Sequence, residues 1–537
     1  MYRKLLLIIL LSIGGMGCNK EMVKETVAPD PKNTAKRSLT ERSLTAGVIG
    51  SSATYDSILW KVDTVKNENA YKFDQMAGID RYQGQLYILG GNCASWDGEY
   101  NLWELWKGAN VNNAVKQLQQ PKPAANFPYY TTEGNDDWCN YWLMGLWIDP
   151  SDGKFYSIAY SEYNYMKKWE TEAKERRMGL ATSVDNGQTW TYQGDIITQD
   201  KSIPPPPGQK YYGAGDLDLF IPGDGYAYVY YKKGFYSDNS GHRTEQDICV
   251  ARCRLSDKLA PGYWKKFYNG SWVEAGIGGH ETIIIPDVNI ANVCYNKFLK
   301  KYVCIGNDTD GKTFISFANS MPTQDWSPRD FGFPQISWWY NWFVNVTNNN
   351  QHVMGQSFKL YTAGLNLVTK ARHGYDYHIV FDMKEYDRTG WEVIDFSSQE
   401  PWPSAPEEGG AAYVLDNNPY TFWSTAGVNG EAPFPHHITI DTKSAKSLHG
   451  ITFKNRKFDI DYSSGQPKDM QVLVSEDNVN WQTAATYTNI EIPEGPVDES
   501  KTRLSFPAAV NARYLKLVVT AIHGTNKVLY FSEIGAF

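Results

Sequence analysis

The chain runs to 537 residues, carries a formal net charge of −8 at pH 7 and contains seven cysteines. No basic cluster offsets that charge, which excludes a nucleic-acid partner. Aromatic residues reach 14% of the sequence, so planar side chains must carry much of the packing or ligand contact.

At the N terminus, Arg3 and Lys4 precede an apolar run over residues 5–13, closed by Gly15-Met16-Gly17-Cys18. The run is too short to span a bilayer and reads as a signal peptide over residues 1–18. The small residues before Cys18 resemble a bacterial lipoprotein signal. That resemblance implies lipidation at Cys18, a membrane partner through the lipid anchor, and an exported lipoprotein of the cell envelope at the outer membrane. Residues 19–50 are rich in Lys, Glu, Thr, Ser, Ala and Pro and predict a flexible tether.

Six further cysteines, Cys93, Cys139, Cys249, Cys253, Cys294 and Cys304, allow up to three disulfides in an exported protein. Cys249 and Cys253 stand roughly 13 Å apart along a strand and are not expected to pair. Cys294 and Cys304 flank a hairpin and form the better pair. No C-x-x-C spacing occurs, which argues against a cysteine zinc site.

Residues 51–392 predict an all-β, five-bladed β-propeller. Strand-like runs at 85–89, 154–160, 225–231, 301–305 and 376–381 recur ~65–80 residues apart, each after a turn containing Gly, Asp, Asn or Lys. The stretch Ser183-Val184-Asp185-Asn186-Gly187-Gln188-Thr189-Trp190 matches the Asp-box S-x-D-x-G-x-T-W and resembles the hairpins of sialidase-like propellers. Asp185 is therefore expected to hold a turn, with Trp190 packed beneath it. Residues 318–320 with Asp325-Trp326 read as a degenerate echo.

Glycoside hydrolysis needs two carboxyl groups, and acids set in apolar strands are where burial can tune a pKa. Four residues qualify as catalytic candidates: Asp216 and Asp218 in Gly215-Asp216-Leu217-Asp218-Leu219, whose alternation puts both on one face, then Glu162 and Asp80. His280-Glu281, after a Gly-rich turn, is a further acidic place. A turn cap or surface ion pair is the plainer alternative for each. Trp142 and Trp339, in the aromatic clusters 138–142 and 338–342, are candidate sugar platforms, with packing between blades as the alternative. Phe220-Ile221-Pro222 lacks the arginine of the sialidase Arg-Ile-Pro motif, so cleavage of sialic acid is not expected. More broadly the region resembles five-bladed propeller hydrolases that act on arabinose-, xylose- or fructose-containing glycans. Those use an Asp base, an Asp that tunes pKa and a Glu acid, although no motif here matches residue by residue.

At the C-terminal end, residues 415–425 read Leu-Asp-Asn-Asn-Pro-Tyr-Thr-Phe-Trp-Ser-Thr and are followed by alternating runs near 438–440, 470–474 and 514–519, and by Ser532-Glu533-Ile534. Their order and spacing resemble the discoidin (coagulation factor 5/8 type C) family over residues 398–537. The resemblance implies a jelly-roll β-sandwich whose end loops bind a ligand, in bacteria usually a sugar. It also implies a structural Ca2+ at Asp416 and Thr421, closed by Glu533. Asn418 stands where the family often has Asp, and Ser424 where sugar-binding members commonly have His. Asn455, Arg456 and Tyr530 are expected at the loop end as substrate contacts.

Taken together, these features predict an anchored glycoside hydrolase acting on a complex glycan. The competing reading is a non-catalytic glycan-binding lipoprotein that hands substrate to transporter partners. A third reading, a polysaccharide lyase, would require Lys, Arg or His beside a Tyr in the funnel.

Overall fold

The computed structural model describes residues 48–537 except 53–54, 56, 67–70, 72, 93–101, 128–138, 164–173, 204–208, 238–242, 337–339, 366–371, 401–407, 428–429, 457–463, 492–500 and 526. Cys18, the tether up to residue 47, Cys93 and Trp339 lie outside the described residues. The fold is all-β: apart from two short 3-10 turns, Leu255–Asp257 and Ala411–Leu415, its regular elements among the described residues are strands. Residue contacts divide the chain into two compact units. Unit 1 holds most of the residues up to 379, and unit 2 holds 380–537 with the short pieces 55–60 and 296–301.

Unit 1 is built from successive antiparallel sheets. The first contains Gly78–Tyr82, Gln85–Asn92, Leu102–Gly108 and Val115–Lys116. The second contains Cys139–Ile148, Phe155–Tyr163, Lys174–Ser183 and Thr189–Ile197, with Lys122–Pro123 at its edge. Gln209–Phe220, Tyr226–Ser237, Arg243–Arg254, Lys265–Tyr268 and Ser271–Ala275 make the third, stitched to the second where Lys174, Glu175 and Arg176 run parallel to Tyr211, Tyr212 and Gly213. Val288–Asn296, Lys301–Asp308 and Thr313–Ala318 form the fourth. In the fifth, Asn341–Asn345, Ser357–Leu365 and Arg372–Met383 are joined by the early strands Ile58–Lys66 and Val48–Ser51. This succession of sheets, with an N-terminal strand joining the last, is consistent with the propeller expectation.

The first strands of neighbouring sheets touch because glycine lets them. A Cβ on Gly78 would lie 2.3 Å from the carbonyl carbon of Gly145, and one on Gly145 (φ +75°) would lie 2.4 Å from Leu219. Side chains then bridge these strands through backbone groups. The Asp80 carboxylate accepts the Ile148 N–H at 2.6 Å, Asp218 accepts the Val293 N–H at 2.8 Å, and Gln351 accepts the Ile79 N–H at 2.7 Å. Each inner N–H satisfied in this way avoids the cost of a buried donor left unpaired.

Asp185 closes its hairpin as expected. Its carboxylate accepts from the Ser183 hydroxyl (2.7 Å) and from the N–H groups of Gln188 and Thr189 (3.0 and 2.8 Å), while Trp190 is fully buried and donates to the Gly187 carbonyl. Asp325 does the same at the echo, accepting the N–H groups of Asn319 and Ser320. The disulfide expectation fails: Cys294 and Cys304 are both buried free thiols, as are Cys249 and Cys253. In this core a thiol serves as a small apolar side chain.

Unit 2 is a sandwich. One sheet runs Glu392–Phe396, His436–Lys454, Thr502–Ile522, Pro467–Ser475 and Gln482–Tyr487, with Glu533–Ala536 also paired to His436–Lys454. The other holds Glu408–Gly409, Phe422–Ser424 and Tyr530–Phe531. Inward alternation sets the register: Leu517 sits opposite both Ile438 and Val472, and Leu515 opposite Ile440 and Val474, all fully buried. Trp423 packs within this core at 6.2 Å from Phe531, and its indole N–H donates to the Ser398 carbonyl.

Candidate functional site

Of the four carboxylates singled out in unit 1, Asp216 has the surroundings of a reactive group. It sits in a β-bulge, between the paired residues Gly215 and Leu217, and adopts φ +41°. A non-glycine residue held there stores strain of order 1–3 kcal/mol, so the surrounding contacts must enforce it. Those contacts are an ion pair with Lys232 from the next strand and a hydrogen bond from the Tyr340 hydroxyl at 2.9 Å, contributed by the residue preceding the fifth sheet's first strand. Both members of the ion pair are almost fully buried, at 2% and 3% exposure. A cation, a phenol and a carboxylate from separate segments are thus held together away from bulk water, where electrostatic interactions are strong.

Asp218 lies two residues past the bulge, paired with Tyr230. Its two oxygens are taken by the Val293 N–H and, at 3.3 Å, the Asn292 side chain. Burial pushes its carboxyl up to about 7 against those two hydrogen bonds, which lower it. Asp80 is likewise pushed up by burial, to about 6, with the N–H groups of Ile148 and Arg81 pulling the other way. Both carboxylates bridge strands, their oxygens engaged by backbone or amide donors of the frame itself. Glu162 lies near the end of its strand opposite Asn140, and its side chain is outside the described residues. Trp142 is 3% exposed and packs on Tyr160 at 5.9 Å, so it is core and not a sugar platform.

Asp218 makes a pH test of this assignment. The folded state holds its proton more tightly than the unfolded chain, so its contribution to stability is full below about pH 3.8 and is lost as pH rises to about 7. Asp218→Asn removes that titration while keeping an acceptor for Val293. Denaturant melts should show the variant gaining on the wild type across that window, by on the order of 4 kcal/mol at most. An unchanged difference between the two proteins at all pH values would rule the bridge assignment out.

A second buried charged group was marked in the sequence only by Glu281. The Lys266 ammonium is fully buried and donates to Glu281 (2.7 Å) and to the carbonyls of Thr198 and Gly279, while Tyr231 donates to Glu281 at 2.6 Å and Lys233 stands 3.7 Å away.

In unit 2, the Arg456 guanidinium lies 4.0 Å from the Phe422 ring centre and 5.2 Å from that of Tyr530. The two rings meet edge to face at 6.0 Å. Tyr530 is seated against Gly465, where φ is +82° and a Cβ would lie 2.4 Å from the ring, so only glycine leaves room. A half-buried arginine above aromatic faces, beside a phenol, offers both fork-like donors and a stacking surface. Asn455 is not part of it: it is buried, with its amide donating to Gln466 at 3.0 Å and its carbonyl accepting from Ser532. Phe422 was not singled out in the sequence, although it lies in the quoted motif beside Trp423.

The residues expected around a calcium ion do come together, but around something else. Thr421 donates to one oxygen of Asp416 at 2.6 Å, and the Asn418 N–H donates to the other at 2.9 Å. Glu533 is ion-paired with Arg388, whose guanidinium also reaches the carbonyls of Val414 and Ile534 and the side chain of Asn417. Among the described residues no group of three His, Cys, Asp or Glu side chains could hold a metal ion. Asp416 and Glu533 thus each have oxygens engaged by groups of the chain itself.

Residues 394–534 match the family model described as the F5/8 type C domain. A sialidase from Micromonospora viridifaciens is 27% identical over 152 residues, which is 28% of this chain; the chain spans 21% of that relative's length. Among solved structures, the C-terminal domain of a Bacteroides fragilis chitobiase is 23% identical, covering 29% of this chain and 97% of that one, with a TM-score of 0.25. A Clostridium perfringens domain in complex with GalNAc-β-1,3-galactose is 19% identical, covering 29% and 99%, with a TM-score of 0.24. The chain therefore ends in an F5/8 type C domain.

Proposed function

We propose that this protein binds a glycan through Arg456, Tyr530 and Phe422 of its F5/8 type C domain and cleaves a glycosidic linkage at Asp216 of unit 1, which we read as a five-bladed propeller. The observation carrying the first half is the Arg456 guanidinium held over two aromatic rings at the domain's loop end. Such a cluster suits a sugar, whose hydroxyls accept from the guanidinium while an apolar ring face stacks on the phenol. The lipobox-like run before Cys18 supports an envelope lipoprotein that holds both units outside the cell. Calorimetric titration with a panel of mono- and oligosaccharides tests the binding half. Arg456→Ala should weaken binding by at least about tenfold, the loss expected for a charged hydrogen-bond donor, without moving the melting transition. Wild-type affinity in that variant would refute this site.

The Lys232–Asp216–Tyr340 grouping favours a second chemistry as well. In a β-elimination the Tyr340 phenol would pass its proton to the Asp216 carboxylate as it takes the proton beside a uronate carboxyl, and Lys232 would neutralise that uronate carboxylate. The C–O bond would break with a proton returned from this pair to the leaving oxygen, giving an unsaturated sugar and a free hydroxyl. Hydrolysis would add water and leave both products saturated. Ultraviolet absorbance of the products separates the two readings.

A further inference from the structure

We propose that the Arg388 guanidinium replaces a structural metal ion in unit 2, tying the turn at residues 414–417 to the last strand without calcium. Four acceptors surround it: the Glu533 carboxylate, the Val414 carbonyl at 3.2 Å, the Ile534 carbonyl at 2.9 Å and the Asn417 side-chain oxygen. One carboxylate, two backbone carbonyls and an amide oxygen from a tight turn and a distant strand make the kind of oxygen set that a hard cation collects. Here a fixed positive charge collects it instead, and a guanidinium stays charged at every accessible pH.

Arg388 is itself held in place. Its carbonyl accepts the Trp391 N–H at 2.9 Å, and Asp387 caps the loop by accepting the N–H and hydroxyl of Thr389. Trp391 is buried in the sandwich core, which anchors the loop. Arg388 precedes residue 394, where the family match begins, but lies within unit 2, whose main segment runs from residue 380. The nearby oxygens are otherwise spent. Asp416 accepts from Thr421 and Asn418, and of these two carboxylates only Glu533 keeps a buried oxygen, Oε1, without a hydrogen bond among the described residues, where calcium takes six to eight ligands. Lys454 and Lys501 line the same small cavity beside Arg388, facing the carboxylates of Glu385 and Glu533, so a divalent ion would meet more positive than negative side chains.

Calorimetric melting of the full chain, with chelator or with millimolar calcium chloride, tests this without any glycan. The wild-type transitions should coincide under both conditions. Arg388→Ala should lower the unit 2 transition by roughly 5–10 °C, and calcium should recover part of the loss because the vacated oxygens can then hold it. Arg388→Lys, which keeps the charge but not the fork, should fall between. Stabilisation of the wild type by calcium, an Arg388→Ala protein that melts like the wild type, or one that calcium leaves unmoved would each overturn the replacement. If Arg388→Ala does not fold, the wild-type calcium comparison and Arg388→Lys decide the matter.

Discussion

Asp216→Asn is expected to lower sugar release from a cleaved glycan by about 10²–10⁴-fold, the range for losing a positioned acid–base group. Reducing-sugar release from plant, host and microbial glycans would read it. The substitution also breaks the buried ion pair with Lys232, and breaking such a pair costs about 3–5 kcal/mol. Activity must therefore be compared in a folded background. The double variant Asp216→Asn with Lys232→Met removes both charges and should recover much of the stability while remaining inactive. Tyr340→Phe, which deletes the hydroxyl bonded to Asp216, separates the two chemistries. Loss of an ultraviolet-absorbing product in that variant would identify an elimination. Saturated products, lost with Asp216→Asn but only reduced with Tyr340→Phe, would identify hydrolysis. A folded Asp216→Asn protein cleaving at the wild-type rate would remove the site from contention.

Lys266→Met should be the most destabilising single change in unit 1 that touches no proposed catalytic residue. It breaks the bond to Glu281 and frees two carbonyls, leaving a carboxylate buried beside Tyr231. The expected loss is about 3–5 kcal/mol in denaturant unfolding. Adding Glu281→Gln should restore part of it, because no carboxylate is then left beside Tyr231, although Lys233 loses its ion pair at 3.7 Å. Strict additivity of the two changes would mean that they do not act as a pair.

Much of this fold can be read from the residues. The runs at 85–89, 154–160, 225–231 and 301–305 each lie in or overlap the second strand of successive sheets, because apolar and tyrosine-rich alternation between turns marks a strand packed on both faces. The first strands were harder to see. Gly78–Tyr82 and Gln209–Phe220 carry glycine and aspartate where close approach and bridging demand them, and these residues dilute the strand signal. The sandwich followed from its motif order, with Glu392–Phe396 pairing into it slightly before the expected start at 398.

The sites divide in the same way. Asp216 stands out as an acid in an apolar strand, and Lys232 and Lys233, equally out of place after a tyrosine run, carry the same signal with the opposite charge. Tyr340 lies 124 residues from its partner, and no local pattern announces such a contact. Asp80 and Asp218 share the sequence character of catalytic acids because a bridging carboxylate and a catalytic one both need an apolar setting. Arg388 carried no signal at all: an isolated arginine in a polar loop is ordinary until the fold brings four oxygens to it.

The strand Ile58–Lys66 pairs with Arg372–Met383, so the fifth sheet joins segments about 300 residues apart. In a chain made from its N terminus, that early strand must wait, one edge unpaired, until nearly all of unit 1 has emerged. Loop-closure entropy grows only slowly with length, so the wait costs time more than stability. During it the exposed edge is open to pairing with another chain. Assembly of this protein should thus be governed by how late its final pairing becomes available, and crowding of nascent copies is the condition that would penalise it most.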